Sequence, residues 1–271
     1  MSGCLEPAGG HPELEVAVLG PVEFRGAAEP FTRSAAKDLV VYLALHRNGV
    51  RNDVWGAALW PDRCAAPSTL HSTASAARRA LGQSRRGGDH LPRGGRHLRL
   101  ADSVGTDVER FARAAAGGDP ACWREALGLV RGRLFDGLCL TDWTVLEGAQ
   151  AELESMVSET ALKGAEHFLR IGLGEEAEWM IRRGLRVSPY DERLYRALVR
   201  AAELKGNRSG LRSAMAELLS LAAEGRGHVG SASTGRDRPR TRSSIHPSTV
   251  ALYRELAREG IPAAGGDSVR L

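Results

Sequence analysis

The sequence predicts a mainly α-helical protein, with a small α+β part first and an all-α part after it. Short apolar segments separated by glycine and proline occupy about residues 14–31, as is typical of short strands. Farther along the chain, apolar residues recur at three- and four-residue spacing, which is typical of helices that bury one face. The chain has 271 residues, of which 42% are hydrophobic, and this length favours about two domains of roughly 150 residues each.

The first strands follow a stretch, residues 1–12, that is rich in glycine and proline and is predicted to be disordered. Apolar residues alternate in the segment 14–19, which predicts a strand with one buried face. A Gly-Pro pair ends this segment, and shorter strands are expected at 22–24 and around Phe31. Together these segments predict a small antiparallel sheet.

Three helices are predicted next, at about residues 34–46, 52–59 and 67–81. In the second helix Asn52 is the expected N-cap. Its inward residues are expected to be Val54, Trp55, Ala58 and Leu59. The third helix has a predicted buried stripe of Leu70, Ala74, Ala77 and Leu81. Its opposite face carries Ser68, Ser72, Ser75, Ala76 and Arg79, with His71 and Arg78 on one flank. A face of small, polar and basic side chains can approach a nucleic-acid duplex closely.

Positive charge is concentrated on this third helix and on the segment after it. Residues 67–100 contain seven arginines and one acid, whereas the formal net charge of the whole chain is +4. The segment 89–100 predicts a hairpin, with leucines on one side and Arg93, Arg96, His97 and Arg99 at the turn and on the other side. The charge indicates a local site for a polyanion, with a solvated arginine face as the alternative.

From about Thr106 onward the pattern is helical, with segments at about residues 107–116, 119–131, 142–171, 174–187, 190–205 and 208–224. Gly172 and Gly206 lie 34 residues apart, which is the period of a tetratricopeptide repeat. The first copy has the expected small and apolar residues, at Phe168, Gly172, Ala177, Ile181, Gly184 and Pro189. The second copy is looser, so an ordinary helical bundle remains the alternative.

The sequence therefore predicts an ordered series of regions along the chain. An α+β domain over residues 13–105 follows the N-terminal stretch, and a tetratricopeptide-like helical domain covers residues 106–224. Arginine and small residues dominate residues 225–244, which predicts a basic flexible linker. A docking helix is expected within residues 245–260, with Val250, Leu252, Tyr253 and Leu256 on its apolar side, and residues 261–271 are expected to be a loose tail.

Motifs for catalysis, cofactors and metals are missing from the sequence. There is no phosphate-binding GxxxxGK[ST], no GxSxG, no HExxH and no CxxC pair. Cys4, Cys64, Cys122 and Cys139 are expected to be free thiols. His71, His90 and His97 are expected to be polar surface residues, and the five tryptophans core residues. We therefore expect no enzyme activity, no cofactor and no metal. The longest apolar run, residues 39–45, is too short to cross a membrane.

The order of sheet, three helices and basic hairpin resembles a winged helix-turn-helix of the OmpR response-regulator type. With the helical half included, the chain resembles the Streptomyces antibiotic regulatory protein family, which joins such a winged helix to a bacterial transcriptional activator domain. The matching residues in the first half are Val18-Leu-Gly-Pro21, Ala58-Leu-Trp60, Ser68-Thr-Leu70, Arg78-Arg-Ala-Leu-Gly82 and the segment 95–100. In the second half they are Asp107, Phe111, Leu129-Val-Arg-Gly132, Trp143, Pro189, Leu194 and Leu198.

This resemblance implies a cytoplasmic transcriptional activator that binds double-stranded promoter DNA and contacts RNA polymerase. The helical domain would then serve homo-oligomerisation or signal input. An arginine-rich composition with three lysines suggests a GC-rich genome and an actinobacterial source. The expected DNA-binding residues are Ser68, Thr69, His71, Ser72, Ser75, Arg78, Arg79, Arg85, Arg93, Arg96, His97 and Arg99.

The third helix departs from the family pattern. Ala76 stands where the family usually has an arginine, and Ser72 and Ala74 stand where it has β-branched residues. The missing arginine removes one contact, worth about 1–3 kcal/mol of discrimination if it reads a base. The alternative hypothesis is therefore a protein-interaction module that does not bind DNA, related to the ends of larger actinobacterial membrane-associated proteins.

Overall fold

The structure, a computed structural model, describes residues 12–139, 142–227 and 245–259. The chain divides into two compact units between Val157 and Ser158. The five strands among the described residues are β1 (Leu14–Ala17), β2 (Glu23–Arg25), β3 (Val50–Arg51), β4 (His97–Leu98) and β5 (Val104–Thr106). All five strands lie in the first unit, so the predicted mainly α fold with an α+β N-terminal part is confirmed.

The described helices outnumber the strands. They are α1 (Ser34–Leu45), α2 (Asn52–Leu59), α3 (Pro67–Leu81), α4 (Asp107–Ala116), α5 (Pro120–Gly128), α6 (Asp142–Leu146), α7 (Ala149–Arg170), α8 (Gly174–Val187), α9 (Glu192–Leu204), α10 (Arg208–Gly227) and α11 (Pro247–Glu259). One long helix was predicted over residues 142–171, but the structure has two, α6 and α7. Gly148 between them has a φ of +74°, a backbone conformation outside a right-handed helix.

The main sheet has the order β2-β1-β5. Val16 of β1 lies opposite Phe24 in an antiparallel pair and opposite Thr106 in a parallel pair. The predicted all-antiparallel sheet is therefore wrong, because β5 reaches the free edge of β1 only after the chain has crossed three helices. Phe31 lies outside the strands, and its ring packs on that of Phe24 with 4.2 Å between centroids.

The predicted hairpin within residues 89–100 is also wrong. β4 pairs antiparallel with β3, with Leu98 opposite Val50, so its partner precedes α2 in the chain. Gly49, with a φ of +84°, turns the chain into β3. The N-cap of α2 falls on Arg51 and not on Asn52. Asn52 instead accepts a hydrogen bond from Trp55 Nε1 at 3.1 Å and donates from Nδ2 to the Gly95 carbonyl at 2.9 Å.

The inward face of α2 is smaller than predicted. Trp55 and Leu59 are buried, as predicted, whereas Val54 is 46% exposed and Ala58 is half-buried. Gly56 is buried in their place. Gly56 is buried because Leu70 of α3 packs over it: an added Cβ at this position would stand 3.1 Å from Leu70 Cδ2. The missing side chain therefore lets Leu70 lie against α2.

Asp107 fastens the start of α4 to the main sheet. Its carboxylate accepts the backbone N–H of Val18 at 2.8 Å and that of Leu19 at 2.9 Å, and Arg131 Nη2 lies 3.5 Å away. Burial raises the pKa of this carboxyl, while the two backbone donors and Arg131 oppose the shift. Thr106 and Glu109 form a capping box at the same helix start. Residues after 105 are thus integral to the first unit.

The second unit consists of the latter part of α7 with α8, α9, α10 and α11. α8 packs against α9, and α9 packs against α10. Gly172 and Gly206, the two predicted turn glycines, have φ values of +78° and +61°. At Gly184, an added Cβ would stand 2.8 Å from Ala161 Cβ, so this glycine permits close helix packing.

The final helix packs against α9 through polar contacts at its start. Thr249 is buried, and its hydroxyl donates to Glu192 Oε2 at 2.8 Å. Val250 and Leu252 are half-buried, while the side chains of Tyr253 and Leu256, also predicted to dock, lie outside the described part of the chain. So do the predicted disordered start, most of the predicted linker and the predicted tail, although α10 extends to Gly227. In the described residues, no helix combines the length and hydrophobicity needed to cross a membrane.

Candidate nucleic-acid interface

α3 is held in the first unit by its small side chains. Its buried residues are Thr73, Ala74, Ala77, Ala80 and Leu81. Three of the four residues in the predicted stripe are therefore buried, whereas Leu70 is half-exposed. The many alanines let α3 lie close to α1, against which it packs. Gly82, with a φ of +74°, ends the helix as predicted.

The opposite face of α3 is open to solvent. Its exposed residues are Ser68, His71, Ser72, Ser75 and Arg79, and Thr69 and Ala76 are half-buried. No acid occurs anywhere in the helix. The Ser72 hydroxyl donates to the Thr69 carbonyl at 3.0 Å, which leaves its lone pairs as acceptors. This face offers several short polar groups and one long cation, Arg79.

Arg78, which was predicted to bind DNA, has another role. Its Nε donates to the Leu91 carbonyl at 2.8 Å, and it lies 3.8 Å from Asp89 Oδ2. Its side chain is only 17% exposed. Because the guanidinium is directed at this loop, Arg78 holds residues 89–91 against α3, and its contact with DNA stays a prediction.

His90, on the same loop, was predicted to lie at the surface and is instead buried. Its Nδ1 lies 3.0 Å from the Ser103 hydroxyl. Burial lowers the pKa of this imidazole. The prediction failed because the apolar Leu91 beside it, which is fully buried, draws the loop inward. His71 and His97 are exposed, as predicted.

The loop after α3 carries two exposed arginines, Arg85 and Arg86. The backbone N–H of Arg85 donates to Glu13 Oε2 at 2.7 Å, a contact that lowers the pKa of the Glu13 carboxyl. This contact fixes the backbone of the loop and leaves both guanidinium groups in solvent. Arg86 was missing from the predicted site, although it belongs to the same cluster of seven arginines.

A second basic loop precedes β4. Arg93 and Arg96 are exposed, and the Arg96 carbonyl accepts the backbone N–H of Asn52 at 2.9 Å. This bond and the one from Asn52 Nδ2 to Gly95 hold the loop at the start of α2. Neither arginine forms an ion pair with an acid of the described chain, so their charges are available to a ligand.

His97 and Arg99, on and beside β4, are more constrained. The His97 ring lies over Gly49, where an added Cβ would stand 2.6 Å from its Cε1. Arg99 forms an ion pair with Asp102, which offsets part of its charge. Both side chains are exposed, so they remain expected contacts at the edge of the interface.

The other candidate site is a cleft in the first unit, with a volume of about 240 Å³. Its walls are the turn after α2 and the start of α6, formed by Ala58, Leu59, Trp60, Pro61, Asp62, Arg63, Cys139 and Asp142. Within the described ranges, no three histidine, cysteine or acidic side chains group as metal ligands would. Among the described residues, Cys64, Cys122 and Cys139 form no disulfide; Cys64 and Cys139 are exposed, and Cys122 is buried.

Comparisons with known proteins agree with this architecture. Residues 99–213 match the family model described as "Bacterial transcriptional activator domain". Among solved structures, the chain is similar to Mycobacterium tuberculosis EmbR in complex with a low-affinity phosphopeptide, with a TM-score of 0.59 and 23% sequence identity. The likeness covers 91% of this chain and 65% of that chain, so this chain spans slightly less than two thirds of that protein. No curated protein sequence matches the chain.

These findings confirm the predicted resemblance to Streptomyces antibiotic regulatory proteins, for the fold and for the activator domain.

Proposed function

We propose that this regulator, with its bacterial transcriptional activator domain, binds promoter DNA by inserting α3 into the major groove. The observation that carries the proposal is the open, acid-free face of α3, flanked in sequence by loops of exposed arginines. A B-DNA major groove is about 12 Å wide and admits an α-helix. Short side chains at Ser68, Ser72 and Ser75 would let the helix backbone come close to the bases.

Arg79 is the residue best suited to read a base. Of the two arginines of α3, Arg79 is the exposed one, since Arg78 is engaged with residues 89–91. A guanidinium pairs with guanine O6 and N7 through two hydrogen bonds, a contact worth about 1–3 kcal/mol of discrimination. Because Ala76 offers no such contact, Arg79 would carry a large share of the sequence preference.

The loop arginines would supply affinity without sequence preference. Arg85, Arg86, Arg93 and Arg96 are exposed and lie on loops whose backbones are fixed by hydrogen bonds. Cations at fixed positions bind phosphate oxygens and set the register of a protein on the duplex. With Arg79, about five charges would face the DNA.

The activator domain matched at residues 99–213 would carry the regulatory output. In this proposal the protein acts in the cytoplasm as an activator, contacts RNA polymerase and forms homo-oligomers on promoter DNA. Double-stranded DNA is its primary partner.

The test is a selection of genomic fragments by the purified full chain, followed by titration of a selected fragment at several salt concentrations. The four loop arginines, as phosphate contacts, predict a slope of log K against log salt of about −3 to −4. A slope near zero on the best fragment would overturn the proposal. If a protein partner were then recovered in stoichiometric amount and no fragment were enriched, the interaction-module alternative would be favoured.

A further inference from the structure

The loop that follows α3, residues 84–88, is closed by hydrogen bonds of its own. The backbone N–H of Gly87 donates to the Ser84 carbonyl at 2.9 Å, and that of Ser84 donates to the Gly88 carbonyl at 3.0 Å. An added Cβ at Gly87 or Gly88 would meet open space, so the tip of the loop is accessible. These bonds hold the shape of the loop in addition to its contact with Glu13.

That contact places an anionic group against the loop. Glu13 Oε2 accepts the backbone N–H of Arg85 at 2.7 Å. The Arg85 amide lowers the pKa of the Glu13 carboxyl; burial opposes the shift, and a hydrogen bond with the Ser84 side chain adds to it. Ser84 Oγ accepts the N–H of Arg86 at 3.1 Å, and its hydroxyl proton can still be donated. The loop thus binds an anion through a backbone amide and a hydroxyl.

These donors are of the kind that bind phosphate oxygens. Backbone N–H groups, serine hydroxyls and arginine side chains all take part in protein contacts with DNA phosphates. Arg85 and Arg86 are exposed on the same loop and add two guanidinium groups. A phosphodiester shares one negative charge between two oxygens, as a carboxylate does. The Glu13 carboxylate therefore marks a position that a phosphate group of DNA would fit.

The other acid near the loop is engaged elsewhere. Asp89 accepts a hydrogen bond from Gln83 Nε2 at 3.2 Å, and its Oδ2 lies 3.8 Å from Arg78 Nε. Its charge is thus offset where the loop begins and ends, below the tip. Among the described residues, Glu13 is the acid that takes the Arg85 amide.

Glu13 can leave this position without disturbing the sheet. Its backbone is fixed at the start of β1, because an added Cβ on Gly26 would stand 2.2 Å from the Glu13 carbonyl oxygen. The next residue, Leu14, is fully buried and lies opposite Val104 of β5. The Glu13 side chain, by contrast, is half-buried and flexible. Rotation about its own bonds moves the carboxylate into solvent while the backbone stays in place.

We propose that the loop 84–88 is a phosphate-binding site for the DNA backbone, which Glu13 occupies in the free protein and leaves when DNA binds. This inference rests on the proposed function, because its ligand is the duplex that α3 would read. In the complex, phosphate oxygens accept the Arg85 N–H and the Ser84 hydroxyl, and the two arginine side chains balance the charge. Glu13 is then an internal competitor that weakens binding to every duplex, since phosphate contacts carry no sequence information.

The test is the affinity of the full chain for the selected fragment and for an unrelated duplex, measured by fluorescence anisotropy. Glu13→Gln keeps the size of the side chain and removes the competing charge. Both affinities should rise by about threefold, as expected for one exposed charge contact.

The matched control is Glu29→Gln. Glu29 is an exposed acid whose backbone N–H donates to the Ala80 carbonyl at 3.1 Å, so it lies at the same end of α3. This variant removes the same charge without vacating the loop. Because exposed charges are screened by salt, both affinities should change by less than about 1.5-fold.

Amide NMR of the isotopically labelled full chain provides a direct second measurement. The Arg85 signal of the wild type should shift on saturation with either duplex, because its N–H exchanges a carboxylate for a phosphate. In Glu13→Gln this signal should differ in the free protein and should reach the wild-type position in the complex. An Arg85 signal that does not respond to bound DNA would overturn the proposal.

The affinities can also overturn it, and they separate this site from the proposed function. If the wild type binds neither duplex, promoter binding is disproved and the phosphate site with it. If the wild type binds the selected fragment, but Glu13→Gln binds no more tightly than Glu29→Gln, the phosphate site alone is disproved. Weaker binding by Glu13→Gln than by the wild type would likewise show that Glu13 supports the loop and does not compete with DNA.

Discussion

Arginine is used differently in two regions of this molecule. In the segment 67–100, Arg79, Arg85, Arg93 and Arg96 are exposed, and no acid of the described chain forms an ion pair with them. In the second unit, basic side chains are matched with acids. Arg182 contacts Glu178 and Glu217, Arg193 contacts Glu159 and Asp191, and Lys205 contacts Glu178. The first arrangement leaves positive charge for a ligand, and the second uses it between helices.

The acidic residues of the two units also differ in how deeply they are buried. In the second unit the paired carboxylates lie near the surface, where each ion pair contributes little. In the first unit the acid that matters most is buried, since Asp107 accepts backbone N–H groups of β1 and its neighbour. Stability of the two units should therefore respond very differently to removal of an acid.

Asp107→Ala should have the largest effect on stability. It leaves two buried backbone donors without an acceptor, and we expect a loss of about 3–5 kcal/mol in the free energy of unfolding of the first unit. Urea denaturation followed by circular dichroism would measure it. Asp136→Ala, which changes an exposed acid of the same unit, is the control and should cost less than about 0.5 kcal/mol. Equal losses in the two variants would contradict the role of Asp107.

Arg79→Ala tests the exposed charge of α3. Affinity for the selected fragment should fall by about 1–3 kcal/mol, while affinity for unrelated DNA falls by much less. Fluorescence anisotropy with both duplexes would measure the difference. Arg113→Ala, an exposed arginine of α4, should leave both affinities unchanged. If Arg79→Ala and Arg113→Ala weakened binding equally, Arg79 would have no special role in sequence recognition.

Arg78→Ala should behave as a structural change. Loss of the bond to the Leu91 carbonyl should cost about 1–2 kcal/mol of stability, and the salt dependence of DNA binding should stay as in the wild type. Arg86→Ala is the comparison variant. Its stability should equal that of the wild type, and its slope of log K against log salt should be shallower by about 1. If Arg78→Ala kept the wild-type stability but had a shallower salt slope, Arg78 would contact DNA directly.

Glu178→Gln should give the smallest effect and tests the paired charges of the second unit. The hydrogen bond from Lys205 lowers the pKa of the Glu178 carboxyl, although burial opposes the shift. A lowered pKa in the folded state means that the carboxylate stabilises the protein at neutral pH and ceases to do so as the pH falls.

We therefore expect the variant to be less stable than wild type by about 0.2–1 kcal/mol at neutral pH. The two should become equal at acid pH, below the pKa of Glu178 in the folded protein. Thermal unfolding across this range would show it, with Glu203→Gln, an exposed acid of α9, as the control. A difference that persisted unchanged in acid would mean that the Glu178 charge is not its cause.

Local features of the fold could be predicted, and long-range ones could not. The bounds of α3, its alanine stripe and its end at Gly82 follow from the helical period and from glycine chemistry, both readable within fifteen or so residues. The partner of β4 could not be deduced, because β3 is separated from it by α2 and α3. The break at Gly148 was missed because a single glycine within a helical pattern is a weak signal.

The candidate site shows the same division. The exposed serines of α3 and Arg79 follow from periodicity, so the sequence was sufficient for them. The roles of Arg78 and His90 depend on where the buried Leu91 places its loop, which is a tertiary contact.

The attachment of Asp107 to β1 bears on how parts of this chain can be recombined with parts of other proteins. A chimaera joined at residue 105, between the two predicted domains, would replace the carboxylate that the amides of Val18 and Leu19 require. A chimaera joined within α7, near Val157, would transfer α4, α5 and α6 together with the sheet on which they depend. The first unit is thus about fifty residues longer than the winged-helix pattern in the sequence.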